Sequence, residues 1–465
     1  MNKNDLITLR ITDLNPDGNG VGRGENGEVV FVPLTAPGDL CKAKIIKCAK
    51  NYFVARLEEL IEPAACRVEA DCAVYHRCGG CVYRHIDETT ENLLKKQTVE
   101  NALRRIGHLN AAVEDTVSFG FDSYRNKVVY PLGRDNNGDV TYGYYARHTH
   151  AIIPHDSCPL QEDLFDAIAM FHVEQINKHH VPIWNETTKK GYLRHLAMRK
   201  NRAGEYTVCM VSSAPFAKAQ TMAEELMEAF PRVVGVFLNL NTKGDNTIFG
   251  TKTLRLAGES TLQDVLCGKT FSVSPTAFYQ VNPDVAEALY RKAAELAAVG
   301  EGEILLDLYC GAGTIGLSMA EPHQKLCGVE IIPEAVENAW ENAKNNGRTQ
   351  ENTLFVCGDA SLGVAECKNK FGTPDVIVVD PPRKGLSDGV IDTLLEVSPR
   401  KIIYISCNPA TLASNCEKLK DTYEITYAQP FNMFPRTGHV EVLVCLCKQA
   451  IDGSTWNNRG TYEAL

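Results

Sequence analysis

The chain has 465 residues, too many for one hydrophobic core, so two or three domains are expected. Hydrophobic residues make up 44% and charged residues 23%, ordinary globular composition, and neither a signal peptide nor an apolar run long enough to span a membrane is present. The net charge of −10 argues weakly against nucleic acid, though net charge says little when basic residues gather on one face.

Residues 1–60 alternate short β-branched runs (LITLRIT, VVFVPL, CKAKIIK, YFVARLEEL) with the turn signals PDGNGVGRG, ENGE and APGD. About five short strands in this length predict a small OB-like barrel. Between Leu40 and Leu57 the charges are Lys42, Lys44, Lys47, Lys50 and Arg56. Such a strand pair suits a phosphate backbone, and equally suits an edge strand guarded by lysines.

Residues 61–265 open on Cys66-x5-Cys72-x5-Cys78-x2-Cys81, with Cys158 further on. Seventeen cysteines without a secretory signal belong in a reducing, cytoplasmic setting, where metal or catalytic use outweighs disulfides and most thiols are core residues. C-x5-C-x2-C plus a distant cysteine supplies four thiolates for a [4Fe–4S] cluster, and four cysteines also suit structural zinc. A helix over 88–107 follows, with Val99, Leu103 and Ile106 on one stripe and Lys95, Lys96, Arg104 and Arg105 beside it. Strand-like runs then predict a mixed α+β domain. Tyr124, Arg125 and Lys127 in YRNK, with Arg147 and Arg194, are candidates for phosphate or base contacts, although exposed arginines are more often simply solvated.

Residues 266–450 alternate strand and helix, which predicts a parallel, doubly wound sheet. A helix starts at Asn282-Pro283, with Val285, Leu289 and Leu296 on its apolar face. ILLDLYCGAGTIGLSMA (304–320) reads as strand, glycine-rich turn and helix, in which Gly311 and Gly313 allow a close backbone approach to a ligand. Glu330, Asp359 and Asp380 end the next three strands, where acids converge on one crevice or merely cap the following helices. The spacing is not the dinucleotide G-x-G-x-x-G, and a class I S-adenosylmethionine methyltransferase fits better. The last fifteen residues read as a loose tail.

The reaction follows from two segments. In DPPRKG, Arg383 replaces the aromatic that accompanies amine methylation, and SCNPATLASN places Cys407 at a strand end facing the crevice. A buried structural cysteine is the plain alternative. Carbon 5 of uracil becomes nucleophilic when a thiolate adds to carbon 6, so this chemistry needs a thiolate, a general base and a group for the enolate oxygen. FPRTGHVEVL offers Glu441 as base, with His439 nearby.

FVPLTAPGD, YHRCGGC, YRNK, FYQVN, DLYCGAGTIGL, DPPRKGL, SCNPATLASN and FPRTGHVEVL together resemble the RNA uracil-5-methyltransferases. The resemblance spans nearly the whole chain and points to the bacterial 23S ribosomal RNA branch, with an N-terminal TRAM domain and an iron–sulfur cluster. It implies Cys407 as nucleophile and Glu441 as base. Gln280, Tyr309, Glu330 and Asp380 match cofactor contacts, joined by Gly311, Gly313, Thr314 and Asp359. It implies Cys72, Cys78, Cys81 and Cys158 as [4Fe–4S] ligands and leaves Cys66 spare. Asp380 or Gln280 is the candidate for the enolate oxygen. The expected partner is a looped or single-stranded uridine of 23S rRNA, and a monomer is expected. A tRNA T-loop enzyme and a non-catalytic iron–sulfur RNA-binding factor are the rival readings.

Overall fold

The computed structural model describes residues 1–135 and 137–450, so the expected tail at 451–465 lies outside the described residues. At the N-terminus β1 (Leu6–Leu14), β2 (Asn19–Arg23), β3 (Val29–Pro33), β4 (Leu40–Cys48) and β5 (Tyr52–Glu62) close into a barrel of order β1-β2-β3-β5-β4. Strand alternation sends Cys41, Ala43 and Ile45 of β4 inward and leaves Lys42 and Lys44 on the outside. Because β4 pairs with both β1 and β5, it is not an edge, and its lysines guard none.

Helix α1 (Glu88–Arg105) starts where Asp87 accepts the Thr90 N–H at 2.7 Å. Val99 and Leu103 are buried as the stripe predicts, but Ile106 is exposed at the helix end, and Lys95 is buried rather than flanking. The middle of the chain builds a seven-stranded sheet from β6 (Lys127–Arg134), β7 (Val140–Tyr145), β8 (Ile152–Pro154), β9 (Leu193–Lys200), β10 (Tyr206–Ser212), β11 (Val233–Leu240) and β12 (Lys252–Gly258). Its order is β12-β11-β10-β9-β6-β7-β8. Helices α2 (Asp163–Lys178) and α3 (Ala219–Ala229) pack Phe165, Ile168, Met222 and Leu226 against it. A hairpin, β13 (Leu262–Leu266) with β14 (Lys269–Val273), spans both sides of the 265/266 boundary expected from sequence.

Asn282 caps α4 (Pro283–Ala297), with Pro283 in its first turn. Then β15 (Ile304–Leu308), α5 (Thr314–Met319), β16 (Lys325–Glu330), α6 (Pro333–Asn345), β17 (Thr353–Cys357), α7 (Ala360–Lys370), β18 (Val376–Val379), α8 (Asp388–Val397), β19 (Lys401–Ser406), α9 (Pro409–Leu419), β20 (Tyr423–Phe431) and β21 (Glu441–Lys448) alternate to the end. The sheet order is β17-β16-β15-β18-β19-β21-β20, with β21 antiparallel to both neighbours. The order reverses at β15, which opens a crevice at the carboxyl ends of β15 and β18. Helices α4, α5 and α6 cover one face, and α7, α8 and α9 the other. Helix α1 joins the second face through Val99, Ala102 and Leu103, packed in one core with Leu412, Ala413 and Cys416 of α9.

Candidate active site and cysteine cavity

The crevice is walled first by the glycine-rich turn after β15. Tyr309, Gly311 and Gly313 all have positive φ, at 69°, 53° and 78°. Gly311 needs glycine for its backbone alone, since a Cβ there meets nothing within 4 Å, whereas Gly313 is also hemmed by Leu317, Ala339 and Phe355. Beneath the turn, Asp307 is fully buried and accepts the Gly316 N–H at 2.8 Å, and burial pushes its carboxyl up to about 8.

Glu330 accepts the Gly311 N–H at 3.2 Å through one oxygen and the Ile331 and Ile332 N–H groups through the other. Ile331 is 73% exposed at the lip of the crevice, as is Leu362 at 46% past Asp359. Sequence reasoning passed over both; two isoleucines straight after a strand-end acid are the signal. Asp359 caps α7, accepting the Leu362 N–H at 2.9 Å, so the capping reading holds for one of its oxygens. Gln280 is buried, its carbonyl accepting Asn126 Nδ2 at 2.9 Å. The Tyr290 hydroxyl lies beside the Gln280 and Thr314 side chains.

Across the crevice Cys407 follows β19, and Asn408 caps α9 while donating Nδ2 to the Arg383 carbonyl at 3.0 Å. The loop after β18 is thereby fastened to the loop that carries the thiol. Cys407 is half-buried. Burial first, then Glu441 and Asp380, push its thiol up, and Arg383 pulls it back toward ionisation. Glu441, 3% exposed at the start of β21, is held well above the usual carboxylate range by burial and by Asp380. Burial pushes Asp380 up to about 7. Neither carboxyl has a hydrogen-bond partner among the described residues, so both are available to a ligand. His439 is exposed and packs edge-on against Phe434.

The loop leading to Glu441 is held from several directions. Lys95 Nζ donates to Asn432 Oδ1 at 2.5 Å and to the Phe434 carbonyl, and pairs with Glu91 at 3.0 Å. Glu91 accepts the Arg436 N–H and Asn432 Nδ2. The Arg436 carbonyl accepts both the Val82 and Tyr83 N–H groups. Gly438 lies so close to the barrel that a Cβ there would stand 1.7 Å from the Pro16 carbonyl.

Cys407 opens onto a cavity of 550 Å³ walled by α1, by Asp13–Pro16 and Val21 of the barrel, and by Arg383, Asn408 and His439. A second, enclosed cavity of 60 Å³ is lined by Cys72, Cys78, Cys81 and Cys158 together with Arg84 and Arg125. Arg84 is 2% exposed and its Nε is buried without a partner. Cys66 is elsewhere, its Sγ donating to the Pro37 carbonyl at 3.5 Å. Among the described residues no three His, Cys, Asp or Glu side chains converge closely enough to hold one metal ion. The expected phosphate contacts are otherwise engaged. Tyr124 is buried with its hydroxyl on the Pro435 carbonyl, Arg194 donates to the carbonyls of Asn241 and Lys243, and Arg147 donates to that of Cys81. Lys127 lies over Phe249. Buried carbonyls need donors, and these side chains supply them.

The TRAM domain family matches residues 3–57, the tRNA (Uracil-5-)-methyltransferase family residues 365–449, and the RNA cap guanine-N2 methyltransferase family residues 302–392. An uncharacterized RNA methyltransferase of Oceanobacillus iheyensis is 36% identical over 451 residues, covering 95% of this chain and 96% of its own. One from Halalkalibacterium halodurans is 37% identical, covering 96% and 98%. The solved Pyrococcus abyssi tRNA (uracil-54, C5)-methyltransferase, in complex with S-adenosyl-L-homocysteine, superposes with a TM-score of 0.76 at 24% identity, covering 95% of this chain and all of its own. That likeness shows the shared fold. No helix among the described residues is long and apolar enough to cross a membrane.

Proposed function

We propose that the chain, which belongs to the RNA uracil-5-methyltransferase family, methylates carbon 5 of a looped uridine in 23S rRNA. The observation that carries this reading is a half-buried thiol, Cys407, beside an unpartnered buried carboxyl, Glu441, at the carboxyl edge of a class I sheet. S-adenosylmethionine supplies the methyl group. In this reading Glu330 would hold its ribose, Ile331 and Leu362 would cover its adenine beside Asp359, and the Tyr309–Thr314 turn would take its methionine end. The Cys407 thiolate adds to carbon 6, and the resulting enolate is met by Asp380 or Gln280. After methyl transfer Glu441 takes the carbon 5 proton and the thiolate leaves.

These two residues act on opposite sides of the methylated adduct, so their variants should fail differently. Cys407→Ala should give neither adduct nor product. Glu441→Gln should accumulate a methyl-labelled covalent protein–RNA band on a denaturing gel. The same band from Cys407→Ala would place the nucleophile elsewhere.

The motif set favours 23S rRNA as the substrate. The archaeal tRNA enzyme keeps the tRNA T-loop as the second reading, because it spans 95% of this chain. Mapping 5-methyluridine in rRNA and tRNA of a deletion strain decides between them.

A [4Fe–4S] cluster on Cys72, Cys78, Cys81 and Cys158 is part of the same proposal. Four thiols and two arginines face one cavity, and the unpartnered Arg84 Nε has a donor free for an anionic group. Anaerobically purified protein should carry about four irons per chain. Cys72→Ser or Cys158→Ser should lose them, and Cys66→Ser should keep them. Stoichiometric zinc without iron would overturn the assignment.

A further inference from the structure

The cavity in front of Cys407 is larger than the thiol's own chemistry requires, and beyond Cys407, Arg383, Asn408, His439 and their chain neighbours its walls come from α1 and the barrel. Gln280, Asp380 and Glu441 do not line it. The target uracil must reach those groups, so its place is on the inner side of Cys407. The 550 Å³ outside the thiol lies between α1 and the barrel turn.

One wall is α1, where Leu94, Ala102 and Ile106 lie beside a polar row. Gln97, Asn101 and Arg105 recur at four-residue spacing and so stand in a row along the helix, opposite the barrel turn at Asn15 and Pro16. Gln97 has no hydrogen-bond partner among the described residues, so its amide offers a donor and an acceptor side by side. The Asn101 Oδ1 accepts from Arg104, which leaves its Nδ2 free, and Arg105 is exposed at the mouth. Amides in such a row match the donor and acceptor edge of an unstacked base, and the arginine matches the phosphate that follows it.

Resting on the uracil-5 reading above, we propose that this groove between α1 and the barrel turn holds the nucleotide next to the target uridine, with Gln97 and Asn101 reading its base edge. An adenine fits these amides through its N6 donor and N7 acceptor. The barrel thereby contributes to sequence choice as well as to affinity, and α1 is its counterpart across the groove.

The test uses the full-length protein and short hairpin RNAs with a single 5-fluorouridine in the loop. Fluorine at carbon 5 leaves no proton to remove, so the methylated adduct with Cys407 persists and is counted on a gel. The four bases are varied in turn on each side of that uridine. The wild-type protein should trap one flanking base, on one side, about tenfold faster than the other three. Gln97→Ala and Asn101→Ala should flatten this preference while trapping continues, and Glu100→Ala, outside the groove, should keep it. A wild-type protein without flanking preference, or a preference unchanged in both alanine variants, would overturn the inference while leaving the uracil-5 reading intact. If no hairpin is trapped at all, it is that reading that fails.

Discussion

Arg383 is the cation set against Cys407, whose thiol is pushed up by burial and by the acids behind it. Removing that cation leaves only the raising influences. Addition to carbon 6 requires the thiolate, so the pH–rate profile for adduct formation by Arg383→Leu should move to higher pH. Single-turnover trapping across pH 6–9 measures that displacement, and an unmoved profile would mean the guanidinium does not act on the thiol. The variant's rate at neutral pH should fall about tenfold for every pH unit by which its profile moves.

At the scale of elements, the buried set Glu91, Lys95, Asn432 and Arg436 fastens α1 to the loop that ends in Glu441. Lys95→Met would leave the Glu91 carboxylate with only the longer Arg436 ion pair at 3.7 Å, at a cost of up to about 3–5 kcal/mol. A lowered Tm should accompany it, together with slower loss of the covalent adduct, because the general base would be less well held. Normal adduct decay in that variant would limit the set to a purely structural role. None of this was legible in the sequence. A lysine within a charged helical run reads as solvent-facing, and its partner Asn432 is 337 residues away. Strand β20 also escaped notice, since Glu424 and Pro430 interrupt its pattern and it forms a sheet edge. The glycine-rich turn, the strand-end acids and the capped α4 were legible because local backbone demands dictate them. Tyr124 and Arg194 misled for the converse reason. Their residue types suit RNA, but distant buried carbonyls claim them.

For the whole molecule, the barrel has two separable roles. Lys47 and Lys50 are exposed at the far end of β4 and beyond it, away from the turn that touches Gly438. Lys47→Gln with Lys50→Gln should lower the slope of log affinity against log salt by about 0.7–0.9 for each phosphate these lysines neutralise, with turnover at saturating RNA retained. An unchanged slope would refute a phosphate role for them. Deleting residues 1–60 should impair turnover as well as affinity, because Pro16 forms part of the wall in front of Cys407.

The contact between Glu91 and Arg436 joins positions 345 residues apart, and Glu441 follows only five residues later. On a ribosome the barrel, the cysteine loop and the glycine-rich turn all emerge well before that contact can form. Domains fold in order of synthesis, so a nascent chain can fold its barrel and middle sheet before β21 arrives to complete the last sheet. Such a chain would carry Cys407 at the end of an unfinished sheet, without Glu441. Glu441 follows Cys407 by 34 residues, which keeps that interval short. A chain that stopped just before Glu441 would lose all of β21, the strand that joins β19 to β20, and should therefore trap no RNA.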